Sequence, residues 1–238
     1  MQINGIEIKW LGHSGFLIKN STPQAYPEKF QEKIFTRGKI IYIDPYNISE
    51  SSEKADLIFL THSHYDHCSV ADMEKIIKEG TKIIAPADCQ SKINRFNIPI
   101  KMEVVEPEQE IDLHSIKVFT LPAYNIDKTF HPKDEAGIGY LIKIGDVIIY
   151  HAGDTDIIPE MQKLTGYKHK DKEFIALLPI GGRFTMSAEE AAEAAKIIKP
   201  TLAIPMHYGS IVGTIEDAEE FVEICKENKI NAKILEKE

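Results

Sequence analysis

Three histidines and an aspartate fall within six residues at His62-Ser63-His64-Tyr65-Asp66-His67, directly after the apolar run Leu57–Leu60. Imidazole nitrogen and carboxylate oxygen are good ligands for zinc, iron and manganese. Crowding unpaired imidazoles together carries a desolvation cost that a cation removes. The segment therefore reads as a metal-binding turn at a strand end. On extended chain His62 and His64 project to one side, because side chains alternate. Asp66 and His67 follow where the chain bends toward a helix, so they aim at a neighbouring point. Two ions need more than four side chains. Asp154, in Tyr150-His151-Ala152-Gly153-Asp154-Thr155, and His207, in Pro205-Met206-His207-Tyr208-Gly209, both follow apolar runs. They are the expected completing ligands, since ligand sites in layered α/β folds collect beyond strand ends.

The rest of the chain supplies a frame for this cluster. Runs rich in Ile and Val read as strands at Ile3–Ile8, Gly15–Ile18, Lys39–Ile43, Leu57–Leu60, Lys82–Ala85, Ile116–Leu121, Gly139–Ile144, Val147–Tyr150, Ile175–Leu178 and Leu202–Pro205. Gly145-Asp146 marks a hairpin between two of them. Ser69 starts a helix through about Glu79, stopped by Gly80. Ser187 and Glu190 form a capping box for Ala188–Lys199, which ends at Pro200. Asp217 and Glu220 open a third helix through about Asn228. Strand-rich stretches with interspersed helices predict sheets covered outside by helices, an α/β layered fold. The 238 residues, 43% of them hydrophobic, suffice for a substantial core. Two longer irregular stretches, Asn20–Gly38 and Tyr124–Ala136, are expected to shape the site.

Composition excludes several classes. No run approaches the roughly 18–20 apolar residues of a membrane helix. Met1–Trp10 carries Glu7 and Lys9 and reads as a strand, not a signal peptide. The expectation is a soluble, cytoplasmic protein without membrane insertion. The net charge of −9 disfavours a nucleic-acid partner, and the one dense basic run, Lys168–Lys172, is broken by His169 and Asp171. A small-molecule substrate is expected instead. Arg183, after Gly181-Gly182, would meet an anionic group on it, although a surface role fits Arg183 as well. Cys68, Cys89 and Cys225 form no C-x-x-C pair and read as small buried thiols. The oligomeric state is left open, a homo-oligomer among the options.

With these residues in view, the chain resembles the metallo-β-lactamase superfamily. His62-x-His64-x-Asp66-His67 matches its H-x-H-x-D-H signature, Gly153-Asp154 its later Gly-Asp element and His207 its final histidine. Trp10-Leu11-Gly12-His13-Ser14, Ile43-Asp44-Pro45, Leu178-Pro179-Ile180-Gly181-Gly182 and Ile204-Pro205-Met206-His207-Tyr208 resemble the branch of ascorbate-6-phosphate lactonase and the uncharacterised metal-dependent hydrolases. The resemblance implies one domain over residues 1–238, an αβ/βα four-layer sandwich of two mixed sheets with helices on the outer faces. Its two similar halves would meet near residues 115–140. It implies one ion on His62 and His64, another on Asp66, His67 and His207, and Asp154 bridging them. Relatives commonly place a histidine where this chain has Asn125. Either Asn125 stands in, or His131 swings in from the long loop, or water fills the place; His131 is the preferred expectation.

The function so implied is metal-dependent hydrolysis of a small ester, lactone or phosphoester. Two divalent ions, zinc first and manganese or iron as alternatives, would share a water and lower its pKa. The metal-bound hydroxide then attacks carbonyl or phosphorus. Asp66 is both ligand and the group best placed to orient the water or carry its proton. Tyr208 is a candidate donor to the developing oxyanion. His13, in a Gly-flanked turn that the resemblance places close to the metals, is a third catalytic candidate. Asp44 reads equally as an acceptor for a ligand histidine or as a turn residue before Pro45, and His151 as a support for Asp154. Two other functions compete. One is phosphodiester cleavage in RNA, as by ribonuclease Z, which would want a basic face. The other is a metal-binding module without turnover or an iron redox protein.

Overall fold

The computed structural model describes residues 1–20 and 38–238. Residues 21–37, most of the expected stretch Asn20–Gly38, lie outside the described residues. Two mixed sheets pack face to face with helices outside, the expected αβ/βα sandwich. The first sheet runs β1 (Gln2–Ile3), β2 (Ile6–Gly12), β3 (Gly15–Asn20), β4 (Ile40–Ile43), β5 (Leu57–Phe59), β6 (Lys82–Ala85) and β7 (Lys101–Val104), in spatial as in sequence order. The second has β8 (Glu110–Asp112), β9 (Ile116–Pro122), β10 (Ile138–Ile144), β11 (Val147–His151), β12 (Glu173–Pro179) and β13 (Leu202–Met206), again neighbouring in order. Each sheet begins with antiparallel pairs and ends parallel, switching at β4 and at β11. The chain crosses from one sheet to the other between Val104 and Glu110, ahead of the break expected at 115–140.

Period-2 alternation sorts the side chains. Ile41, Ile43, Leu57, Phe59 and Ile84 face the core shared with the second sheet. Their neighbours Ile40, Tyr42, Ile58, Leu60, Ile83 and Ala85 face outward onto α1 (Val70–Ile76) and α2 (Gln90–Ile93). The alanine-rich face of α3 (Ala188–Ile198) and Phe221 and Cys225 of α4 (Ile215–Glu227) join the larger core. No helix among the described residues is long and apolar enough to cross a membrane.

Three expectations need correction, and two strands were not expected at all. The strand Ile3–Ile8 is two strands, because Asn4 and Gly5 both take positive φ in a two-residue hairpin turn. The helix expected to reach Glu79 stops at Ile76, where the Ala55 N–H takes up the Ile76 carbonyl and Ile77 turns extended. The last helix begins earlier, at Ile215, with Thr214 as its cap and Asp217 as the reciprocal partner. β7 and β8 escaped notice because they are short and largely exposed, without an apolar signature.

Hydrogen bonds stitch the two sheets together along one edge, beyond the carboxyl ends of the parallel strands. The Ile138 N–H donates to Thr61 O at 2.9 Å and the His207 N–H to His13 O at 2.9 Å. The Tyr140 hydroxyl crosses from β10 to the Leu60 carbonyl at 2.8 Å. His151 Nε2 donates to Ser14 O at 2.9 Å, and its Nδ1 accepts the Gly153 N–H. His151 is therefore a neutral strap, kept below its ordinary pKa chiefly by burial, and it fixes the turn that presents Asp154.

Candidate metal centre

The stitched edge gathers every predicted ligand. His62, His64, Asp66 and His67 follow β5, where the His67 and Cys68 N–H groups close a turn on the His64 carbonyl. Asp154 follows β11, His207 follows β13, and His13 sits in the β2–β3 turn. His131 comes from the loop after β9. Left-handed backbone concentrates here: His13, Asp44, His131 and His207 all have positive φ. Such strain persists where surroundings over-determine it, and it clusters at functional sites. Gly153 (φ 68°) has a further reason to be glycine, since a Cβ there would lie 2.8 Å from Ile138 O.

The ligand atoms form overlapping groups, each within 4.8 Å: His62 with His64 and His131; His13 with Asp66, His67 and His207; and His62 with His67 and Asp154. In the first, His64 Nδ1 lies 2.9 Å from His62 Nε2 and 3.0 Å from His131 Nε2. Asp154 spans the groups. Its Oδ2 is 3.0 Å from His207 Nε2 and 3.5 Å from His131 Nε2, and its Oδ1 is 3.4 Å from His67 Nε2. Asn125 lies beside the first group, its Nδ2 3.4 Å from His131 Nδ1 and its Oδ1 buried without a hydrogen-bond partner. Its side-chain amide donates to the carbonyls of Phe130 and Phe184, holding the loop that carries His131.

A shell of acceptors fixes the rings. Asp44, fully buried, accepts from His67 Nδ1 at 2.8 Å and from the Thr61 N–H and hydroxyl. His67 Nε2 is thereby turned inward, 3.4 Å from Asp154 Oδ1. His131 Nδ1 lies 3.1 Å from Phe184 O, which turns its Nε2 inward likewise. Thr61, which sequence reasoning passed over, touches Asp44, His62 Nδ1 and His67 Nδ1 at once. A threonine before a histidine pair at a strand end was the available signal.

The rings of the cluster differ in charge. Burial, helped by His67, holds His62 well below the ordinary histidine pKa, and burial lowers His131 too. Against burial, the carboxylates of Asp154 and Asp44 lift His67 well above it. Burial alone would raise Asp66, but the hydrogen bond from His13 and the charge of His67 bring it to about 2. His13 itself is lowered, because burial outweighs its carboxylate partner. It is therefore a neutral ring donating Nε2–H to Asp66 Oδ2 at 2.9 Å, not half of an ion pair.

The residues fit divalent cations. His67 Nε2, Asp154 Oδ1, His13 Nδ1 and both ring nitrogens of His207 are buried without a hydrogen-bond partner. The 3.0 Å approach of His207 Nε2 to Asp154 is close enough for an ion pair yet lacks hydrogen-bond geometry. Buried polar atoms left in this state are costly, and coordination would satisfy His67 Nε2, Asp154 Oδ1 and His207 Nε2. Tyr208, the expected oxyanion donor, is buried. Its ring stacks on Trp10 at 4.7 Å, its hydroxyl is buried without a partner, and burial pushes its pKa up to about 12. Neither cavity at the cluster is lined by it. Arg183 is exposed, its guanidinium 5.0 Å from the Phe184 ring centroid.

A family model described as the β-lactamase superfamily domain matches residues 32–207. The chain belongs to that family. Within the β-lactamase superfamily its relatives include a UPF0173 protein of Pyrococcus abyssi, 35% identical over 217 residues (87% of this chain, 86% of the relative). A UPF0173 metal-dependent hydrolase of Thermococcus kodakarensis is 31% identical over 224 residues (91% and 90%). Among solved structures, a protein of Parabacteroides distasonis superposes with TM-score 0.76 at 27% identity, covering 98% of this chain and 94% of the other. The family places this superfamily member among metal-dependent hydrolases.

Proposed function

We propose that the protein hydrolyses a small ester, lactone or phosphoester with two divalent cations, zinc first by the nature of the donors. The observation that carries this reading is the convergence of His62, His64 and His131 on one point, and of Asp66, His67 and His207 on a second, with Asp154 between them. His13 lies within ligand reach of the second point. When bound, such ions act as Lewis acids and bring the pKa of water toward neutrality. The protein's own groups do the rest. Asp44 and Phe184 O fix the histidine tautomers. Asp66, ionised and lining a cavity beside His64 and Asp154, is placed to accept a proton from water, and His13 holds its carboxylate in position.

Elemental analysis of protein purified without added metal is expected to find two divalent ions per chain. Asp66→Ala and His64→Ala are expected to lower hydrolysis to the level of the chelated protein while circular dichroism stays native. Full activity after exhaustive chelation, or in either variant, would overturn the reading.

A further inference from the structure

Two cavities meet at the cluster and share His64, His131 and Asp154 as a common wall. Their chemistry is opposite. One, of about 220 Å³, is walled by Tyr65, Phe130, Phe184 and Ile211. Seven large apolar side chains are exposed among the described residues, and three of them, Tyr65, Phe130 and Ile211, line this one cavity. Exposed apolar surface gathered in this way marks a binding site. Phe130 and Phe184 meet edge to face at 4.6 Å, so the wall is set before anything binds. The other cavity, of about 290 Å³, carries the exposed carboxylates Asp88 and Glu135. Asp88 is held in place by the Ser63 N–H at 2.9 Å.

Among the described residues no lysine or arginine lines either cavity. The nearby cations have partners of their own, two of them on residues of the cavity walls. Lys133 lies on Glu160 and the Tyr124 hydroxyl, Lys128 on Asp156, Lys92 on the Ser63 carbonyl and Arg183 over Phe184. An anionic leaving group in the second cavity would thus face Asp88 and Glu135, and like-charge juxtaposition is strongly disfavoured.

Resting on the hydrolytic reading above, we propose that the substrate is a carboxylic ester or thioester whose short apolar acyl group fills the aromatic cavity and whose leaving group is cationic and faces Asp88 and Glu135. The carbonyl then lies at the shared wall, beside the candidate ligands. Hydrolysis of a thioester adds the water oxygen to the acyl carbon, breaks the C–S bond and releases a carboxylate, a thiol and one proton. This orientation disfavours phosphoesters and anionic leaving groups.

Three hexanoyl thioesters on a common two-carbon thiol test the charge preference with zinc-reconstituted protein: those of thiocholine, 2-mercaptoethanol and 2-mercaptoethanesulfonate, the first and last with heads of equal heavy-atom count. Thiol release is expected to give kcat/KM in that order, the first exceeding the last by about tenfold or more, as a charge difference of some 1.4 kcal/mol requires. In the double variant Asp88→Asn/Glu135→Gln that ratio is expected to fall toward one. In Phe130→Ala the preference for hexanoyl over acetyl thiocholine is expected to shrink. A sulfonate substrate used as well as thiocholine, or a charge ratio unmoved by the double variant, overturns the proposal. Calorimetry with the non-hydrolysable thioethers S-hexylthiocholine and S-hexyl-2-mercaptoethanesulfonate separates the two readings. Tighter binding of the cationic thioether without turnover of any thioester would count against hydrolysis alone. Equal binding of the two would sink the substrate class.

Discussion

The two candidate cation positions are built differently. The position formed by Asp66, His67 and His207 is buried, and residues behind it hold its rings: Asp44 grips His67, and the His207 backbone is tied to His13. The position formed by His62, His64 and His131 opens to solvent through His64, which is exposed and lines both cavities. One of its histidines is carried on a loop held by Asn125. A buried, doubly anchored site favours permanent occupancy. An open one favours exchange and contact with substrate. Asp154 belongs to both, so its removal should erase the contrast and the loss of His64 should expose it.

Asp154→Ala is accordingly expected to lose both ions and to lower kcat/KM by on the order of 10⁴-fold, as for residues acting within one catalytic unit. His64→Ala, although equally inactive, is expected to retain one ion per chain by elemental analysis. Two ions lost from His64→Ala would show that the positions are not independent. A subtler probe is Gly181→Ala. A Cβ there would lie 2.7 Å from His207 Nδ1 and 2.9 Å from His207 O, so the ring must shift. Metal titration is expected to show the tighter of the two affinities weakened by about 10–100-fold, the usual cost of disturbing support behind a ligand. An unchanged tight site would mean that the backing of His207 is irrelevant.

The smallest effect concerns the segment flanking the buried position. Tyr46 packs against His13 and Tyr65, and Asp72 accepts the N–H groups of Asn47 and Ile48 just beyond it. Against burial, Ser69, these N–H groups and Lys75 hold the Asp72 carboxyl below its ordinary pKa. A carboxyl depressed in the folded state contributes stability above its unfolded value, roughly 3.9, and loses it as pH falls through the folded one. Asp72→Asn should cost about 1–2 kcal/mol at neutral pH, with the difference in melting temperature from wild type closing below about pH 4. A difference constant from pH 7 to pH 3 would refute the electrostatic part.

The fold was legible where apolar runs alternate or carry caps, and it failed where local turn chemistry overrode the run, as Asn4-Gly5 did inside Ile3–Ile8. At the site, His62 through His67 could be read because the four residues are neighbours in sequence. Asp154 and His207 could be read because each follows a strand. The choice between Asn125 and His131 stayed open, because it depends on how a long loop folds back, which spacing does not encode. Phe184, Ile211, Asp88 and Glu135 carried no signal at all. They line cavities only after both sheets have docked, and nothing in their local sequence separates them from ordinary surface or core residues.

That docking sets an order of events. The cluster after β5 belongs to the first sheet, whereas His131, Asp154 and His207 arrive with the second. A chain emerging from the ribosome as far as Val104 would own five of the candidate donors, His13 among them, split between two positions of which neither is complete. Cation capture is thus a closing act of folding, a latch set once the last strand is seated, and its loss should be felt first at the seam between the two halves.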